Sequence, residues 1–209
     1  MPKGCPLHNI FSTLPPKNEG RGWYLAQFLN ALLKLKQIPL NVVEAGCLRN
    51  TEFRIGDGHS TYYIAQWIKE HGGAFTSIDN DPSAVATCSA YLVQEGLHPF
   101  VNLICADSVS TISASTTPID LAFLDGGSYA INLEEYKAVS KLLREPALVV
   151  IDDCYETPGL NMPSLEGFCR GEDTIHYATA QGFHVYKLYC MAVISHGCDF
   201  FNNEREDSL

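Results

Sequence analysis

The chain has 209 residues, 46% of them hydrophobic and 18% charged, a balance that excludes a disordered polymer and suits one packed domain. Its 24 acidic against 14 basic residues leave a formal net charge of -10, a field that repels phosphate backbones and anionic lipid. Neither nucleic acid nor a membrane is therefore an expected partner. The eight cysteines form no C-x-x-C pair, several lie in apolar runs, and no stretch approaches the ~20 apolar residues that span a bilayer. With no cleavage-site pattern near Met1, the expected location is the cytoplasm.

Residues 1–18 read as an irregular leader. From Gly22 to Lys36 the apolar positions Leu25, Ala26, Leu29, Leu32 and Leu33 recur near helical spacing and predict a covering helix, so that 1–38 forms a leader and cover. Asn41–Ala45 is a short apolar run ending in Gly46. Ser60–His71 predicts a helix stopped by Gly72-Gly73, and Ala74–Ile78 a strand ending in Asp79. Asp81-Pro82 gives a helix cap with proline at the first position, and the helix runs to Gly96. Val101–Cys105 and Ile119–Leu124 predict strands ending at Asp107 and Asp125. Leu133, Tyr136, Val139 and Leu143 mark another helix, and Ala147–Ile151 a strand ending at Asp152-Asp153. Phe183–Tyr189 and Met191–Ser195 lie too close together for a helical crossover and predict an antiparallel hairpin. Apolar strands alternating with helices indicate an α/β fold with a doubly wound, mostly parallel sheet over residues 39–201. Residues 202–209 read as a polar tail.

In such sheets ligands bind beyond the carboxyl ends of the strands. Here those ends carry Glu44, Asp79, Asp107, Asp125 and Asp152-Asp153, an acid on every strand of the parallel series. Gly46, then Gly56-Asp57-Gly58-His59-Ser60-Thr61, leads into the first helix, where glycine permits close backbone approach and the helix start offers free N–H donors. Asp79 follows at the interval, about 20 residues, at which an acid reaches a ribose. A dinucleotide would place pyrophosphate against this acidic rim, and Thr61 stands where a third glycine would be. S-adenosylmethionine (SAM) instead presents an ammonium and a sulfonium, so charge favours SAM over NAD.

The runs VVEAG (Val42–Gly46), GDGHST (Gly56–Thr61), SIDNDP (Ser77–Pro82), CADS (Cys105–Ser108), DLAFLDGG (Asp120–Gly127) and VVIDD (Val149–Asp153) resemble, in order, the motifs of class I SAM-dependent methyltransferases. The resemblance implies a Rossmann-like sheet of seven strands with the last one antiparallel. It implies Glu44 and Gly46 beside the methionine part of SAM, Asp79 on the ribose hydroxyls, and Asp107 with Ser108 at the adenine. Gly58, Ser60, Thr61 and Asp125 complete the expected cofactor set. The family's compact glycine loop is lengthened here by Cys47–Ile55, whose Arg49 and Arg54 are either a contact for the SAM carboxylate or solvated surface arginines.

The acids at the fourth and fifth strand ends further resemble the metal-dependent O-methyltransferases of catechol, caffeoyl-CoA and macrolide-sugar type. That resemblance implies that Asp125, Asp152 and Asp153 share Mg²⁺ or a similar divalent ion, which would lower the pKa of an acceptor hydroxyl. Asp125 is then a catalytic residue, and without a metal it becomes a candidate general base. His176, between the fifth strand and the hairpin, is a second candidate base. The expected activity is O-methylation of a small hydroxylated metabolite. Oligomeric state is open, a homodimer included. An NAD-linked oxidoreductase and a non-catalytic SAM-binding module are the alternatives.

Overall fold

A computed structural model describes residues 20–52, 59–154, 169–188 and 190–197, with Tyr129 described by its backbone alone. The elements run α1 (Gly20–Lys36), β1 (Asn41–Ala45), α2 (Ser60–His71), β2 (Ala74–Asp79), α3 (Pro82–Gln94), β3 (Asn102–Cys105), α4 (Ser108–Ala114), β4 (Ile119–Leu124), α5 (Tyr129–Ser140), β5 (Leu143–Ile151), α6 (Glu172–Ala180), β6 (His184–Leu188) and β7 (Met191–His196). A short 3₁₀ turn at His98–Phe100 leads into β3.

The strands join in one seven-stranded sheet, in the order β3-β2-β1-β4-β5-β7-β6. The pairings from β3 through β5 are parallel, while β7 runs antiparallel to both β5 and β6. This is the expected fold, terminal hairpin included.

Alternation along each strand sorts side chains to two faces, and both faces are covered. Val42, Phe123, Val150 and Val193 join one buried cluster with α1, α2 and α3. Their neighbours Val43, Ala122, Val149 and Ala192 join the other, against α4, α5 and α6. In α1, Leu25, Phe28, Leu29 and Leu32 follow the i, i+3, i+4, i+7 pattern of one helical face and are fully buried.

One local expectation differs from the structure, and two local features were not anticipated. Leu143 opens β5 instead of ending the preceding helix, which stops at Ser140. The β4–β5 register shifts between Ile119 and Leu121, near Pro146, which has no N–H to give to a ladder. Helices α4 and α6 escape the periodicity reading because they are short, and α4 (SVSTISA) is serine and β-branched residues up to its final Ala114. Among the described residues, no helix is long and apolar enough to cross a membrane.

The chain winds from β1 out to β3, then returns to place β4 on the other side of β1. That reversal opens a crevice where the carboxyl ends of β1 and β4 diverge.

Candidate functional site

A cleft at this switch point is lined by Gly46, Asp79, Asp107, Ser108 and Asp125, together with Arg49, Gly126 and Glu135. Its floor is made by close backbone approach. The Gly46 N–H donates to the Ile78 carbonyl and the Asp125 N–H to the Ala45 carbonyl, both at 2.8 Å. Gly46 has φ +91°, and a side-chain carbon there would sit 2.8 Å from the Asp125 carbonyl oxygen. Only glycine fits both demands.

The acids lining the cleft are held by the backbone. Asp79 accepts from the Cys47 N–H at 3.0 Å through one oxygen and from the Asp81 N–H at 2.9 Å through the other. Asp107 caps α4, accepting from the Ser110 N–H at 2.8 Å and its hydroxyl at 2.6 Å, and these bonds hold its carboxyl below the usual range. Ser108 donates to Glu135 at 2.5 Å. Glu135, on α5, is buried against Gly126, and burial pushes its carboxyl up to about 7 against the pull of that hydroxyl.

Glu44 lies beneath the cleft. It is fully buried and accepts from the hydroxyls of Thr61 at 2.7 Å and Ser77 at 2.5 Å, with Ser60 as a further partner. Thr61 in turn accepts from the Leu48 N–H at 3.1 Å. Glu44 therefore ties the start of α2, strand β2 and the segment after β1 into one unit. Ser60 and Thr61 are buried at the helix start, behind His59, which is itself buried with φ +35°. Gly56, Gly58 and Arg54 lie outside the described residues.

At the other end of the cleft, Asp125, Asp152 and Asp153 do come to one rim, as expected from neighbouring strand ends. Guanidinium groups meet them there. Arg170, just before α6, donates to Asp125 Oδ1 at 2.5 Å, to the Asp125 and Gly126 carbonyls at 3.0 and 3.2 Å, and through its other nitrogen to Asp153 Oδ2. Arg21, in the first turn of α1, pairs with Asp152 and stands 3.9 Å from Asp153 Oδ1. Burial raises the Asp125 carboxyl, with Arg170 pulling the other way.

This arrangement departs from the expected metal site. A cation needs several oxygen donors turned on one point, whereas here the oxygens turn toward guanidiniums on two sides. Among the described residues, no three His, Cys, Asp or Glu side chains gather in a way that could hold a metal. The residues present do not fit a shared divalent ion.

His176, the second candidate base, lies away from this cleft. Thr174 and Ala178 point α6 at the core, so His176, midway between them and about 200° around the helix from each, is exposed. It does not line the cleft.

Three residues here escaped the sequence reading. Glu135 looked like the exposed Glu134 beside it. Arg170 lay in a stretch without pattern. Arg21 did leave a signal, because a cation in the first turn opposes the helix dipole and calls for an acidic partner.

Comparison with known proteins agrees with this geometry. Residues 53–154 match a family described as "Methyltransferase domain". No curated protein sequence matches the chain. Among solved structures, a methyltransferase from Geobacter sulfurreducens is 18% identical, with a TM-score of 0.56 over 95% of this chain and 91% of its own. The O-methyltransferase TomG from Streptomyces achromogenes, solved in complex with SAM, is 18% identical, with a TM-score of 0.55 over 92% of this chain and 87% of its own. A Klebsiella pneumoniae protein described as a candidate O-methyltransferase is 16% identical, with a TM-score of 0.61 over 95% and 92%. Sheet order and switch-point cleft give the chain the class I methyltransferase fold, and residues 53–154 carry its match to the methyltransferase domain.

Proposed function

We propose that the chain binds SAM in the switch-point cleft and transfers its methyl group to a hydroxyl oxygen of a small metabolite. The observation that carries this reading is the pairing of Gly46 and Asp79 across the β1 and β2 ends. Glycine brings the backbone close to a ligand there, and backbone donors fix the Asp79 carboxylate where a ribose diol would lie. TomG, bound to SAM on the same fold, supports it. When bound, SAM supplies a methyl group on a cationic sulfur.

The chain's own residues then have separate tasks. Asp107 and Ser108 border the adenine end, and Glu44 holds the loop from below. Asp125 stands at the acceptor end, its carboxyl raised by burial toward the range useful for taking a proton. A divalent ion has no part in this reading. The free cysteines Cys47, Cys88, Cys154 and Cys190 fit a reducing compartment, and we place the protein in the cytoplasm.

Isothermal calorimetry with S-adenosylhomocysteine tests the reading. Binding is expected in wild type, with Asp79→Ala weakening it tenfold or more, the scale of a lost charged hydrogen bond of about 1.5–3 kcal/mol. Binding of NAD in preference to S-adenosylhomocysteine would overturn it.

A further inference from the structure

We propose that the guanidinium groups of Arg170 and Arg21 take the place of the bridging divalent cation in this chain, so that methyl transfer needs no metal. The inference rests on the SAM reading above and narrows it.

A bridging cation in this fold would join the ends of β4 and β5. Arg170 makes that connection through both of its terminal nitrogens, one on Asp125 of β4 and the other on Asp153 just past β5. The same guanidinium also binds two backbone carbonyls of the β4 loop, at Asp125 and Gly126, so it is anchored to the turn as well as to the acids. Its own backbone N–H donates to the Asp153 carbonyl at 3.0 Å, which fixes where the side chain starts. Arg170 is 16% exposed, and its planar fork has little freedom to swing away. Asp152 is drawn to the opposite side by Arg21, with side-chain exposures of 1% and 7%. Two fixed positive charges thus face three carboxylates. A divalent ion entering here would have to displace Arg170 from Asp125 and Asp153, then sit beside the displaced guanidinium against its repulsion.

The consequence is chemical. Without a Lewis acid to lower the acceptor's pKa, the proton must pass to a side chain, and Asp125 Oδ2 accepts no hydrogen bond from a described residue. The acceptor oxygen gives its proton to Asp125 as its electron pair forms the new O–C bond. The S–C bond of the sulfonium breaks, and its electron pair stays on sulfur as neutral S-adenosylhomocysteine. A carboxylate can assist a phenol or an enol in this way far better than an aliphatic alcohol, so the acceptor class narrows to acidic hydroxyls.

Mn²⁺ serves as the probe, followed by electron paramagnetic resonance on the full chain. Wild type is expected to bind no Mn²⁺ below the millimolar range. Arg170→Gln, which uncovers Asp125 and Asp153, should bind it at least tenfold more tightly, and Arg170→Lys should fall between the two. Stoichiometric uptake by wild type at micromolar Mn²⁺ would overturn the proposal. So would an Arg170→Gln chain, folded by circular dichroism, that gains no affinity. If Arg170→Gln does not fold, Arg170→Lys decides by the same criterion of gained affinity. Calorimetry of S-adenosylhomocysteine in excess EDTA separates the two readings: loss of that binding in wild type sinks the SAM assignment, and Mn²⁺ uptake alongside intact binding sinks only this one.

Discussion

A buried carboxylate surrounded by hydroxyls holds its proton more firmly than one in water. Burial lifts Glu44 from the ordinary 4.5 to about 7, and the hydroxyls of Ser60, Ser77 and Thr61 only partly oppose it. Its native pKa exceeds the unfolded one, so the native chain binds more protons between those values. Its stabilising contribution is therefore complete below about pH 4.5 and fades as pH rises to about 7. Urea midpoints measured from pH 4.5 to 8 should show Glu44→Gln losing that part of the wild-type slope; an unchanged slope would place the charge elsewhere. Gly46 makes a different prediction. Any side chain there meets both a positive φ and the Asp125 carbonyl, so Gly46→Ala should cost about 1–3 kcal/mol of stability and also displace the β4 end. Calorimetry should find S-adenosylhomocysteine affinity falling by more than the stability loss explains. These residues were legible to different degrees. Gly46 and Asp79 were marked by position after a strand, whereas the burial of Glu44 beneath the cleft depends on where Thr61 and Ser77 arrive, which spacing does not encode.

Among the elements, α1 makes the clearest case for energetics. Its Phe28 is fully buried between the helix and the sheet, and Phe28→Ala should cost about 3–5 kcal/mol by denaturant titration. Arg21 on the same helix contributes through its partner. Removing it leaves Asp152 charged and buried, a loss of about 3–5 kcal/mol, whereas the double variant Arg21→Ala/Asp152→Asn should recover much of that. A double variant no more stable than Arg21→Ala would show that the pair contributes packing alone. The helix itself could be read from periodicity because four fully buried apolar positions repeat along one face. Strand β5 was read only from Ala147, since Arg144, Glu145 and Pro146 break the apolar run over its first turn of pairing. Helix α6 carries too few apolar residues to announce a face, so the sequence does not say which way His176 turns.

Among the described residues, the ion pairs withdrawn from solvent lie at the two ends of one sheet. Opposite the cleft, fully buried Asp120 at the start of β4 accepts from Lys36 at 2.5 Å and from Arg144 at 2.6 Å, and from the Asn41 N–H at 2.7 Å. Asp120→Asn should destabilise the fold by about 3–5 kcal/mol while leaving S-adenosylhomocysteine binding within twofold of wild type, which calorimetry checks. The mostly parallel sheet with its terminal hairpin and the acidic rim were legible because apolar strands alternate with helices and each acid stands at the carboxyl end of a strand. The compensation of that rim was not, since Arg21 and Arg170 approach it from opposite ends of the chain. The stretch matched to the methyltransferase domain, residues 53–154, contains Asp125, Asp152 and Asp153 but neither arginine. During synthesis Arg21 emerges first and Arg170 only after all three acids, so a nascent chain ending at Cys154 holds the carboxylates with half of their counter-charge. Such a fragment repels itself at the place where the finished protein is cross-braced, and it is open to stray cations until the last quarter of the chain arrives. Expression boundaries drawn at the edges of the matched domain would therefore yield a metal-scavenging, unstable fragment, while boundaries enclosing both arginines keep the brace.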